Sequence, residues 1–201
     1  MKKVKWSSFL WIMFFVLPLN LLAQVKEIPI TTKSKEALKY FVQGRDENDK
    51  QELASAAAWF DKAIKLDPDF ARAYLYRSIS GGNEDVFRLN LNKALSLSDK
   101  VSEGEKLEIL SFQAWADGNY LKRKEINDQL LKMYPNDKWV TMGAGYFFAD
   151  SKDYKNALKY FNKSAQLDNK YAPAYNMIGY TQLASNNYPE AEKAFKAYIK
   201  L

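Results

Sequence analysis

The chain has 201 residues, 47% hydrophobic and 27% charged, which suits one folded domain or a short repeat array and excludes a disordered chain. It has no cysteine and no histidine, so disulfides, thiolate metal sites, a lipid-bearing cysteine and Ser-His-Asp or Cys-His catalysis are all excluded. The formal charge is +6, but Lys2, Lys3 and Lys5 supply half of it, and the remaining 27 basic against 24 acidic residues give no basis for nucleic-acid binding.

Met1-Lys2-Lys3-Val4-Lys5 is a short basic segment, and Phe9 to Leu17 is an unbroken apolar run. Pro18 and Asn20 interrupt it, and Ala23 offers a small residue before Gln24. This is the layout of a secretory signal peptide over residues 1–23, cleaved after Ala23. Export to the periplasm or the extracellular space follows as the expectation. The apolar run is well short of the roughly 20 residues that cross a bilayer. Membrane attachment would require an uncleaved segment from Trp6 to Ala23. Residues 24–33 carry β-branched side chains and Pro29, and read as an extended linker.

From residue 34 onward, breakers are scarce: the whole chain has 8 Gly and 6 Pro. A helical pattern repeats. Leu66-Asp67-Pro68-Asp69-Phe70-Ala71-Arg72-Ala73-Tyr74 returns as Leu167-Asp168-Asn169-Lys170-Tyr171-Ala172-Pro173-Ala174-Tyr175, an offset of 101. Small residues fall at Gly44, Ser78, Ser111, Gly145 and Gly179, spaced 34, 33, 34 and 34. Ala157 and Ala191 share the period, as do Phe161 and Phe195, and Ala56 and Phe60 precede the first of each by 101. The match of Ala37–Phe41 with Ala157–Phe161 is spaced 120, which is no multiple of the period, and is a coincidence of composition.

Several boundary signals agree with helix pairs. Ser102 and Glu105 have capping-box spacing, Pro68 and Pro135 follow second helices, and Ser80-Gly81-Gly82-Asn83 is a turn without the strand or lysine of a phosphate loop. A small residue in one helix and an Ala followed four later by an aromatic in the next let paired helices approach closely. This pattern resembles the tetratricopeptide repeat family over residues 34–201. The resemblance implies an all-α fold, a right-handed α-α superhelix (solenoid) of about five antiparallel helix pairs. Repeats are expected near 37–70, 71–103, 104–137, 138–171 and 172–201. In the last, Tyr175, Ile178, Gly179, Tyr188, Ala191 and Phe195 fit the family pattern, while Tyr198 stands where the family has Ala. The second and third repeats are worn: Asn90 and Arg123 take the second-helix position of Ala.

In this family the first helices line a concave face that holds a peptide. Stepping the period through them gives one lane of Phe41, Leu75, Glu108, Met142 and Asn176, and another of Arg45, Ile79, Phe112, Tyr146 and Tyr180, with Trp115 and Trp139 at the centre. All of these except Phe41 are candidate groove residues, although rings at helical spacing are commonly core. The lanes lack the repeated Lys and Asn with which related chaperone-docking members clamp a C-terminal carboxylate. Ala191, Ala194, Phe195, Tyr198 and Ile199 make an apolar stripe on the last helix, so further repeats or an interface, self-association included, are expected there.

The resulting expectation is an exported, non-catalytic scaffold for a protein or peptide, with no cofactor and no metal. A second reading is the sensory or docking region of a larger enzyme or signalling protein. A carboxylate-only catalyst is a third, but the lanes offer only Glu108.

Overall fold

Residues 27–201 are described by a computed structural model. The signal-peptide expectation on residues 1–23, and residues 24–26 of the linker, lie outside the described residues.

Among the described residues the regular structure is helical: ten α-helices and one short 3-10 turn at Ser98–Lys100. They are α1 (Lys35–Asp49), α2 (Leu53–Leu66), α3 (Ala71–Ile79), α4 (Glu84–Leu97), α5 (Glu103–Ala116), α6 (Tyr120–Met133), α7 (Lys138–Asp150), α8 (Tyr154–Leu167), α9 (Ala172–Ala184) and α10 (Tyr188–Ile199). Each helix packs on the next in sequence, and the pairs α1–α2 through α9–α10 stack into the expected right-handed solenoid. No described helix is long and apolar enough to cross a membrane.

Local chemistry starts these helices. Ser34 caps α1 and Asn83 caps α4, each accepting the backbone N–H three residues on. Ser102 and Glu105 close the capping box at α5 in both directions. Asn119, Asp137 and Asp153 cap α6, α7 and α8. Left-handed residues turn the chain between paired helices, with φ of 66° at Gln51, 65° at Gly118, 61° at Lys152 and 59° at Asn186.

The packing follows the period. Phe60 lies flat against Gly44, Phe161 against Gly145 and Phe195 against Gly179, so closely that a Cβ on each glycine would stand 2.7, 2.3 and 2.5 Å from the ring. In the second and third pairs the same two positions are held by Ser78 with Ala94, and by Ser111 with Asn127. Neither position carries a ring. Ser111 instead donates its hydroxyl to Asn127 Oδ1 at 2.9 Å. The core is correspondingly divided into a first cluster around Phe41, Phe60 and Phe70, a middle one around Leu107, Ile126 and Tyr134, and a last one around Phe161 and Ala174.

The segment expected to be an extended linker is extended from Glu27, but it is docked. It lies across the junctions between successive pairs and is held by carboxylates placed there. Lys33 N–H and the Thr32 hydroxyl donate to Asp67, after α2. Thr31 donates its N–H and hydroxyl to Glu105, in the first turn of α5. Ile28 N–H donates to the α7 cap Asp137 at 2.9 Å, and Ile28 C=O accepts from Arg72 at 3.4 Å. Glu105 is fully buried and satisfied by Thr31 and Ser102 rather than by a cation. Such charge-assisted bonds are the strong class, about 1.5–3 kcal/mol each.

Candidate functional site

The solenoid curls until its ends meet. The Tyr171 hydroxyl, just before α9, donates to Asp49 Oδ1 at the end of α1, 3.3 Å away and 122 residues earlier in sequence. One turn earlier on α1, the Arg45 guanidinium lies 3.8 Å from the centre of the Trp139 ring of α7. These contacts close the concave face over a cavity of about 370 Å³, a size typical of small-ligand sites.

The cavity wall combines rings and acids. Tyr76, Phe112, Trp115, Trp139, Tyr146 and Tyr171 supply the rings, and Ile28, Ile79, Leu130 and Met142 supply aliphatic surface. Asp49, Glu108 and Asp150 supply carboxyl groups, with Arg123 as the cation in the lining. A second hollow of about 360 Å³ shares Gln51, Tyr146 and Pro173 with the first, and runs along Asn176, Met177, Tyr180 and Tyr198 toward the last pair.

The three acids differ in their partners. Glu108 faces the buried Arg72, with Nε to Oε2 at 2.7 Å and Nη2 to Oε1 at 3.2 Å. Burial pushes the Glu108 carboxyl up, against the pull of Arg72. Asp150 pairs with Arg123 at 2.5 Å. Asp49 has its hydrogen bond from Tyr171, but among the described residues no Lys or Arg nitrogen comes within ion-pair distance. Burial pushes it up to about 6, although Arg45, Lys138 and the Tyr171 hydroxyl oppose the rise. Burial raises the Tyr146 and Tyr171 phenols as well. Two buried donors on the wall, Asn127 Nδ2 and Trp139 Nε1, have no protein partner.

The sequence-derived lanes divide on this geometry. Ile79, Glu108, Phe112, Trp115, Trp139, Met142 and Tyr146 line the first cavity, and Tyr146, Asn176 and Tyr180 line the second. Arg45 is drawn onto Trp139 and bridges the rim. Leu75 is a correction: at 0% exposure it belongs to the first core cluster, as does Phe41, because the closely packed first pair covers that lane completely. Trp115, Tyr146 and Tyr180 are the exposed rings, at 48%, 39% and 55%.

The residues missed include Tyr76, Asp150 and Tyr171 on the cavity wall, and Asp49, Ser111, Arg123 and Asn127. The signal for three of them was the worn third repeat. Ser111, Arg123 and Asn127 stand at the positions that Gly145, Ala157 and Phe161 hold in the fourth pair, where a ring fills the space. Without that ring the third pair has a polar hollow, and the cavity opens onto it. Asp49 gave no such signal, since its importance depends on Tyr171 arriving across the groove. Among the described residues no group of three or more His, Cys, Asp or Glu side chains is placed to hold a metal ion.

Residues 148–200 match the family model of the tetratricopeptide repeat. No curated protein matches the chain in sequence. Several solved structures share its fold. PilW, a widely conserved type IV pilus biogenesis factor, is 19% identical, with 82% of this chain and 77% of that one covered and a TM-score of 0.51. MamA from Desulfovibrio magneticus RS-1 is 11% identical, with 85% and 97% covered and a TM-score of 0.51. The Cut9–Hcn1 hetero-tetramer of the APC/C is 17% identical, with 81% of this chain and 33% of that one covered and a TM-score of 0.53. At these identities the likeness is one of fold.

Proposed function

We propose that the chain, whose residues 148–200 match the tetratricopeptide repeat model, is an exported, non-catalytic scaffold that binds a segment of a protein or peptide at its concave face. The observation that carries this reading is the aromatic cavity running from Trp115 through Tyr146 to Tyr180, where large rings are left exposed. Aromatic anchors in a concave, partly dry setting are the usual hot spots of recognition. The docked segment 27–33 supports the same reading from within the molecule, since side chains at the pair junctions already hold an extended backbone by its N–H and C=O groups. The basic, apolar and small-residue layout of residues 1–23 supports export.

The test is selection of peptides from a random display library on the purified chain. Selected peptides are expected to lose at least tenfold in affinity when Trp115, Tyr146 and Tyr180 are changed together to Ala. Phe112 is left intact because it packs partly against the first core cluster. Peptides that bind the triple variant as well as the parent would place recognition elsewhere on the solenoid. Export has its own readout. The processed protein recovered from the native host is expected to begin at Gln24, and an intact Met1 in a cytoplasmic fraction would contradict it.

A further inference from the structure

We infer that the central cavity is a receptor for a cation: a Lys or Arg side chain of the bound peptide, with its charge at Asp49 and a carbonyl of the same peptide on Asn127. This deepens, and rests on, the reading of the concave face as a peptide site.

Asp49 is the first argument. A largely buried carboxylate is ordinarily paired, because an isolated charge is costly away from water. Glu108 and Asp150 in the same wall have their arginines, whereas Asp49 has a tyrosine hydroxyl at 3.3 Å and no cation in ion-pair distance. Arg45, one turn before it, would be the natural partner, but its guanidinium is held over Trp139. The cavity therefore presents an acid with no cation in direct contact among the described residues.

The rings are the second argument. Tyr146, Tyr171, Trp139 and Tyr76 all stand on the wall that Asp49 shares. Electron-rich ring faces attract a cation and also cover the apolar stem that carries it. The cavity already hosts one such contact in Arg45 on Trp139, so the chemistry is in use at its rim.

Asn127 is the third. It is buried, it lines the cavity, and its Oδ1 is engaged by Ser111, which leaves Nδ2 as a donor with no acceptor in the protein. A buried donor without a partner costs about 1–3 kcal/mol. A peptide carbonyl would satisfy it. An aliphatic side chain could pack on the rings but leaves Asp49 without a counter-charge, and an acidic one repels it, whereas a basic residue in a peptide complements both.

The protonation of Asp49 sets a pH signature. The groups around it are Arg45 and Asp46 on its own helix, Lys138 and Tyr146 on α7, Tyr171 before α9 and Tyr76 on α3. With the carboxyl raised to about 6, mainly by burial, it is ionised above that pH and neutral below. Cation binding is full at pH 7.5 and weakens as pH falls through 6.

The test uses the blocked tripeptide acetyl-Gly-Lys-Gly-amide, its Nε-acetyl counterpart and n-butylammonium, titrated against the Trp fluorescence of the purified chain. The lysine peptide is expected to bind saturably at pH 7.5. Nε-acetylation, Asp49→Asn and a shift to pH 5 are each expected to lower affinity at least tenfold, and Asp49→Asn is expected to abolish the pH response. Asparagine retains an acceptor for Tyr171, and an unchanged melting midpoint at pH 5 verifies that the variant is folded. Equal affinity for the acetylated peptide, or for the variant, overturns the proposal. Binding of n-butylammonium as tight as that of the peptide overturns the peptide as the source and makes the site one for a free amine. Display-selected peptides that ignore Asp49→Asn overturn the cation but leave the groove standing. A lysine peptide that binds through Asp49 while the display selects nothing supports the cation site and removes the wider peptide groove.

Discussion

Replacing Glu108 by alanine is expected to lower the free energy of unfolding by about 3–5 kcal/mol, the range for breaking a buried ion pair. The loss comes from what is left behind. Arg72 is 1% exposed, and its Nε and Nη2 both face the Glu108 carboxylate. Its remaining hydrogen bond is Nη1 to the Ile28 carbonyl at 3.4 Å, which cannot balance a full charge. The Tyr76 hydroxyl, 3.4 Å from Glu108 Oε1, loses its acceptor in the same step. Changing both members, Arg72→Met with Glu108→Leu, removes the stranded charge along with its partner. That double variant is expected to recover most of the loss, although it also forgoes the bond to Ile28. Urea denaturation of the parent, the two single variants and the double variant measures the coupling. A double variant less stable than Glu108→Ala would show that the pair itself, and not the uncompensated charge, is what the core depends on.

The second large effect separates two glycines on one helix. Gly145→Ala is expected to destabilise by about 2–3 kcal/mol, the cost of overpacking a filled core, even though alanine favours a helix by about 1 kcal/mol. Its new Cβ would stand 2.3 Å from Phe161 Cε1 and 2.4 Å from Cδ1, and Phe161 is fully buried with nowhere to turn. Gly143 lies two residues earlier on the same helix, with nothing within 4 Å of the Cβ it would gain. Gly143→Ala is therefore expected to stabilise by up to about 1 kcal/mol. Adding Phe161→Leu to Gly145→Ala should return part of the loss by freeing the space. Melting curves of the three variants decide the matter, and equal effects at the two glycines would refute the close-packing account.

These expectations draw on a part of the fold that a single sequence makes plain. The spacing of Gly44, Gly145 and Gly179, 101 and 34 residues apart and matched by Phe60, Phe161 and Phe195, is a statement about packing, and the rings lie on the glycines as the spacing implies. The helix-pair architecture follows from it. The site was only half legible. Tyr146 and Tyr180 follow from stepping the period, but the same step carries Leu75 into the core, because one lane runs over both exposed and covered parts of the inner face. Arg123 looked like damage to the second helix of the third repeat. In space, that substitution and Asn127 are what leave room for the cavity. Contacts between distant parts were not legible at all. Nothing local marks Thr31 as a donor to Glu105, or Asp49 as the acceptor for Tyr171, since neither pair obeys the repeat.

The docked segment 27–33 and the contact from Asp49 to Tyr171 change what kind of object this solenoid is. An ordinary stack of repeats is one-dimensional: each unit feels its neighbours, stability adds up along the array, and the ends unravel first. Here a single extended strand is fastened at the first three junctions, and the first pair is bonded to the start of the fifth. Loss of the first pair would release the rim of the last, and loosening of the fourth would free the strand that crosses the first. The terminal units share their fate with the middle, so melting becomes a single concerted event in place of progressive fraying. A cavity walled by residues from both ends then exists only while the whole array is intact.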